Sequence, residues 1–100
     1  MLFNNLVSQS GGGITHTKIS SQMNPGGHDS IHIGNNEYVI SLLSDMYGIT
    51  GVGIFNKDTT LYNYSPIYVK YTLRSGILYI NYDSSGQRNY TWEIFKIKEA

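Results

Sequence analysis

An aromatic and polar set of residues near the carboxyl end is a candidate ligand-binding site. Tyr68 and Tyr79 would present flat rings, with Lys70 and Asn81 as hydrogen-bonding groups beside them. Aromatic rings stack on the C–H groups of a sugar while polar groups bind its hydroxyls, so the set predicts a carbohydrate-binding face. An ordinary solvated sheet face and a subunit interface are the two alternative interpretations of the same residues.

Histidines form a second candidate site, for a metal ion. His28 and His32 flank Asp29, and two histidines with a carboxylate can make a three-ligand zinc site. On a straight strand the two histidines would lie on the order of 13 Å apart, too far to share one ion. Only a folded loop or a symmetry axis would bring them together. Because the spacing matches no standard zinc pattern, we expect polar histidines and no metal.

Catalytic arrangements are harder to find in this sequence. Glycoside hydrolysis needs two carboxylates about 5–9.5 Å apart, whereas Asp83 and Glu93 are expected on one face at about 13 Å. The chain contains no Gly-x-Ser-x-Gly motif, and the glycines around Val52 lack the Lys-Ser/Thr of a phosphate-binding loop. We therefore predict that the protein is not an enzyme and needs no cofactor.

Composition indicates the fold class and argues against several partners. The 100 residues make one domain, and 7 basic and 7 acidic residues balance, unlike the basic excess of nucleic-acid binders. The only alanine is Ala100, while β-branched and aromatic residues abound, so strands are expected instead of helices. The sequence has no cysteine, no apolar run of the ~18 residues that a membrane span needs, and no basic start typical of a signal peptide.

The elements that must position these residues are short strands. Alternating apolar residues and turn signals predict seven or eight of them in an antiparallel β-sandwich or jelly-roll-like fold. Residues 67–97 form the clearest segment, a predicted three-stranded meander. A two-residue turn would pair Leu73 with Leu78, and a third strand would place Trp92 opposite Ile80, which keeps one face apolar.

The amino-terminal residues differ from the rest. Residues 1–13 are predicted to be an arm, and residues 14–100 to be the single β-sandwich domain. Three consecutive glycines, Gly11–Gly13, separate the two parts and favour a flexible hinge. The arm is interpreted either as a flexible leader or as a docking segment for a partner. Its apolar side chains are Leu2, Phe3, Leu6 and Val7.

Two stretches near the carboxyl end have the sequences GILYINY (residues 76–82) and YTWEIFKI (residues 90–97). They resemble the terminal strands of small β-sandwich modules in bacteriophage virion proteins, such as tail fibres and head or baseplate decorations. The resemblance implies an all-β fold, frequent homotrimerisation, and adhesive or structural work. Those proteins have no fixed site pattern, so it assigns no functional residue, and 100 residues leave no room for a fibre shaft.

Taken together, these features predict a non-enzymatic structural or adhesive virion protein that is made in a host cytoplasm. We expect a homo-oligomer, with a trimer favoured, whose partners are other virion proteins and a cell-surface glycan. Nucleic acid and membrane are not expected partners. The alternative is a monomeric carbohydrate-binding module that uses the tyrosines at 68 and 79, and a small enzyme is the least favoured interpretation.

Overall fold

The computed structural model describes residues 14–99, which form eight strands and no helix, so no helix in this part of the chain could cross a membrane. The strands are β1 (Ile14–Met23), β2 (His28–His32), β3 (Glu37–Asp45), β4 (Gly48–Asn56), β5 (Thr60–Tyr64), β6 (Val69–Arg74), β7 (Ile77–Tyr82) and β8 (Tyr90–Glu99). They form a large sheet of order β1-β8-β3-β4-β5 and a small sheet of order β2-β7-β6. All strand pairs are antiparallel, which confirms the predicted β-sandwich.

The β6–β7 hairpin has the register that its sequence predicts. Leu73 lies opposite Leu78, and the two turn residues Ser75 and Gly76 both have positive φ angles, of 52° and 75°. Positive φ at both central positions is the geometry of a two-residue hairpin turn, and glycine adopts it without steric cost. Local turn chemistry and the alternation of apolar residues therefore agree in this hairpin.

The predicted third strand of the meander is wrong. β8 does not pair with β7; it lies in the large sheet between β1 and β3, where Trp92 is opposite Leu43. Residues 83–89 separate β7 from β8, long enough to cross the roughly 10 Å between two packed sheets. The inward side chains still meet, because the rings of Tyr82 and Tyr90 are 5.4 Å apart across the sandwich. The alternation of apolar residues therefore predicts which side chains of β8 are buried, but it does not predict which strand lies beside β8.

The core lies between the two sheets and is built from alternate residues of seven strands or their flanking turns. Phe55 and Tyr71 contact each other across it, with ring centroids 5.3 Å apart. Gly53 leaves the space that the Phe55 ring occupies, since a Cβ there would lie 2.5 Å from the ring. The buried apolar residues of the cluster are Met23, Ile33, Val39, Leu43, Phe55, Val69, Leu78, Ile80, Tyr82, Tyr90, Trp92 and Ile94.

One polar link crosses this core. The Trp92 indole N–H donates a hydrogen bond of 2.7 Å to the Ser41 hydroxyl oxygen, and that hydroxyl is also hydrogen-bonded to the Tyr71 hydroxyl. Ser41 is fully buried, and burial raises the pKa of Tyr71 above its ordinary value. Because Trp92 and Ser41 belong to the large sheet and Tyr71 to the small one, the link joins the two layers.

We expect the Ser41→Ala substitution to destabilise the fold, because it leaves the indole N–H of Trp92 buried without its partner. The free energy of unfolding should fall by about 1–3 kcal/mol, the cost of an unsatisfied buried polar group. Urea denaturation followed by fluorescence of this single tryptophan measures the change. The control is Ser30→Ala at an exposed position of β2, expected to stay within about 0.5 kcal/mol. Equal stability of the two variants would contradict a stabilising role for the link.

Candidate functional site

The residues of the predicted carbohydrate face lie on the outer side of the small sheet or beside it. Lys70 and Asn81 are direct cross-strand partners, and Tyr79 lies two residues before Asn81 in β7, opposite Thr72. The guanidinium of Arg74 lies 5.9 Å from the centroid of the Tyr79 ring, a distance at which a cation is attracted to an aromatic face. The structure thus brings a lysine, an amide, a ring and an arginine onto one surface.

Tyr68 is placed differently from the other three. It precedes β6, adopts a left-handed backbone with φ of 74°, and is about half exposed. Its carbonyl oxygen accepts a 2.9 Å hydrogen bond from the backbone N–H of Asp83. Tyr68 therefore lies at the end of the face, in the crossover from β5, and is not part of the strand ladder.

β2 completes this face, which the sequence pattern did not predict. β2 pairs with β7 on the side away from β6. In this pairing His28 lies opposite Asn81, and His32 lies opposite Ile77. The two histidines are therefore on one surface but separated by the row of Ser30. Among the side chains that the structure describes, those of residues 19–98, no group of three or more His, Cys, Asp or Glu is arranged to hold a metal ion. We refer to this surface as the polar face; it comprises His28, Ser30, His32, Lys70, Thr72, Arg74, Ile77, Tyr79 and Asn81.

The expectation that Asp83 and Glu93 share a face is wrong. Asp83 follows β7 of the small sheet, whereas Glu93 lies in β8 of the large sheet, opposite Leu42. The crossing of β8 to the other layer separates them. Asp83 is engaged locally, because its carboxylate accepts a 2.7 Å hydrogen bond from the backbone N–H of Ser85, which lowers its pKa.

The outer side of the large sheet is mostly apolar over β3, β4 and β5, a feature that the sequence pattern did not lead us to expect. One row runs across four adjacent strands: Phe95 is opposite Ile40, Ile40 is opposite Ile54, and Ile54 is opposite Tyr62. The neighbouring row begins at Glu93, which is opposite Leu42, and continues through Val52 to Tyr64. All eight strands belong to the two sheets, so no strand among residues 14–99 lies over this side. We refer to this surface as the apolar face; it comprises Tyr38, Ile40, Leu42, Val52, Ile54, Tyr62, Tyr64, Phe95 and Ile97.

A signal for the apolar face exists in the sequence of β3. A half-solvated antiparallel strand alternates apolar and polar residues. In β3, however, Val39 and Leu43 point into the core, while Ile40 and Leu42 point outward. This run of apolar residues with both orientations is typical of a strand covered on both sides.

A third feature is a shallow cleft of about 410 Å³ between the β3–β4 turn and the β7–β8 loop. Its carboxylate, Asp45, is 2.9 Å from the Arg88 guanidinium. A hydrogen bond from the Tyr47 backbone N–H, together with Arg88, lowers the pKa of Asp45. Asp45 is therefore a poor proton acceptor near neutral pH, and the arginine is already engaged. The lining residues are Asp45, Met46, Tyr47, Gln87, Arg88 and Asn89.

The predicted docking arm, with Leu2, Phe3, Leu6 and Val7, lies outside the described residues. A scan against protein-family models and searches of curated proteins and of solved structures gave no match to this chain. The function must therefore be argued from the apolar face, the polar face and the cleft themselves.

Proposed function

We propose that this protein is a non-enzymatic structural or adhesive subunit that works as a homo-oligomer and associates through its apolar face. The observation that carries the proposal is the uninterrupted apolar row from Phe95 through Ile40 and Ile54 to Tyr62. With strands about 4.8 Å apart and residues about 3.3 Å apart, the face covers on the order of 400 Å². Contiguous apolar patches of this size on a soluble domain mark interaction sites.

The energetics favour association that uses the whole face. Burying roughly 400 Å² on each of two copies at about 25 cal/mol per Å² yields about 20 kcal/mol before costs. Association costs about 4–15 kcal/mol in lost translational and rotational freedom, and ordering side chains adds to this. The net free energy of association is favourable only if most of the face is buried. A single substitution at the centre of the face should therefore weaken association strongly.

The finer proposal is a component of a bacteriophage virion, such as a fibre, tail or decoration protein. It is supported by the resemblance of residues 76–82 and 90–97 to virion β-sandwich modules and by a composition with few charges and no cysteine. On this proposal the apolar face is buried between subunits, and the polar face on the other side of the sandwich is presented outward. The protein should then stay with intact particles through density-gradient purification, and its loss into the soluble fraction would count against the virion assignment.

We expect the Ile40→Lys substitution to break the oligomer. Ile40 is central in the apolar face, and a lysine there replaces buried apolar area by a charge that must be desolvated. Losing the roughly 1.5–3 kcal/mol of a buried isoleucine weakens association about 10- to 100-fold. Light scattering on a size-exclusion column measures the mass, and circular dichroism checks that the β-structure is retained.

The matched control for this experiment is Ser30→Lys, which adds the same charge to the polar face on the other side of the sandwich. Its mass should equal that of the native protein. A native protein that is monomeric at high concentration would contradict the proposed function, and so would equal effects of the two lysines.

The second candidate function is a carbohydrate-binding module. The specific observation that favours it is the pairing of Lys70 with Asn81 beside the Tyr79 ring and the Arg74 guanidinium. The ring would stack on a sugar while the lysine and the amide bind its hydroxyl or acidic groups. The face carries two cationic side chains, which favours an acidic glycan over a neutral one.

We expect Tyr79→Ala to lower glycan affinity at least tenfold if this second function holds, because the ring is the stacking surface. A glycan array identifies a ligand for the native protein, and calorimetry then compares the variants. Tyr47→Ala is the control, since Tyr47 is highly exposed on the β3–β4 turn, away from the polar face. An empty array, or equal losses in both variants, would remove this candidate.

A further inference from the structure

β5 remains exposed to solvent in the folded domain. It occupies one end of the large sheet and pairs only with β4. All five of its residues are exposed, including Leu61 at 45%, Tyr62 at 54% and Tyr64 at 64%. Leu61 and Tyr62 point to opposite sides of the strand, so the small sheet leaves the inner side of β5 open as well. The strand therefore extends past the edge of the small sheet.

β5 also differs in charge from the other edge strands of the sandwich. β1 contains Lys18, β2 contains Asp29, and β6 contains Lys70 and Arg74, whereas β5 (Thr60–Tyr64) contains no charged residue. Edge strands present unpaired backbone N–H and C=O groups, and proteins normally protect them with charges, proline or a covering element. No strand among residues 14–99 covers β5. An uncharged, uncovered edge rich in β-forming residues is suited to pairing with another strand.

The apolar face continues to this edge without a break. Tyr62 lies opposite Ile54, and Tyr64 lies opposite Val52, so both rings extend rows that start in the centre of the large sheet. A partner strand beside β5 would extend the same rows onto the partner. Edge pairing alone leaves these side chains open, so the enlarged apolar surface would be buried against a further pair of subunits.

The occupant that fits this edge is a second copy of the chain. The amino-terminal arm of the same chain joins β1, at the opposite end of the large sheet. Three strands lie between β1 and β5, so the two edges are about 19 Å apart, and a segment of the same chain that paired with β5 would first have to span that distance from Ile14. A second β5 supplies the same uncharged edge and the same tyrosines, which makes the contact self-complementary.

We propose that two copies pair β5 to β5, antiparallel, about a two-fold axis that passes near Tyr62 or Asn63. The inference rests on the proposed function, names a second copy as the partner, and adds an edge contact to the association through the apolar face. Two five-stranded sheets would join into one sheet of ten strands with a continuous apolar surface. A two-fold contact uses the same patch on both copies and closes at the dimer, so it does not propagate into fibres. It replaces the favoured trimer by a dimer or an even-numbered assembly of dimers.

Single cysteines test this contact directly, because the chain has no cysteine of its own. In antiparallel pairing, residues opposite each other have Cα atoms about 4.5–5.5 Å apart, within disulfide range. We expect Tyr62→Cys or Asn63→Cys, whichever lies on the axis, to form a disulfide-linked dimer rapidly on oxidation. Ser84→Cys is the control, an exposed position in the β7–β8 loop, and it should stay mostly monomeric on a non-reducing gel.

A second variant separates the strand contact from the general use of the apolar face. Leu61→Lys places a charge on the edge of β5 outside the apolar face, and we expect it to weaken dimerisation at least tenfold; Tyr47→Lys, on the exposed β3–β4 turn, is the control. A native dimer with selective cross-linking at 62 or 63 supports the proposal. A native trimer, or an oligomer that neither cross-links there nor responds to Leu61→Lys, overturns the β5 contact but leaves the proposed function standing. A native monomer overturns both.

Discussion

The position of β8 is the constraint on which the rest of the sandwich depends. β1 reaches the large sheet only through β8, and β3 has β8 as one of its two neighbours. Trp92 of β8 links the large sheet to the small sheet. Its indole N–H is hydrogen-bonded to the Ser41 hydroxyl, and that hydroxyl is hydrogen-bonded to Tyr71 of the small sheet. Leaving a buried N–H without a partner costs free energy. The arrangement of strands in which these three side chains meet is therefore favoured.

The placement of β8 also decides the character of the two outer surfaces. With β8 in the large sheet, Phe95 and Ile97 join the outward side chains of β3, β4 and β5 to make the apolar face. With β8 removed from the small sheet, the place beside β7 is taken by β2, whose histidines complete the polar face. The sandwich therefore has one side suited to burial against protein and an opposite side suited to contact with solvent and polar ligands.

The candidate site was predictable from the sequence where it is local. Lys70 and Asn81 are neighbours because a two-residue turn links their strands, and turn geometry sets the register of a hairpin. The contribution of His28 and His32 could not be predicted in the same way, since β2 lies about 45 residues before β7 and no turn relates them. The apolar face has the same origin, because its rows combine strands whose order in the sheet differs from their order in the chain.

The all-β class, the β6–β7 hairpin and the inward orientation of Ile80, Tyr82 and Trp92 follow from the sequence, because strand propensity, turn residues and alternation act over a few neighbours. The crossing of β8 to the large sheet does not follow from the sequence pattern and is seen only in the folded protein. The alternation of apolar residues in β8 requires that Trp92 be buried. This requirement is met equally well if β8 lies beside β7 in the small sheet or faces β7 across the core from the large sheet. The choice depends on long-range contacts such as the Trp92–Ser41 bond, between residues 51 positions apart, which no local pattern encodes.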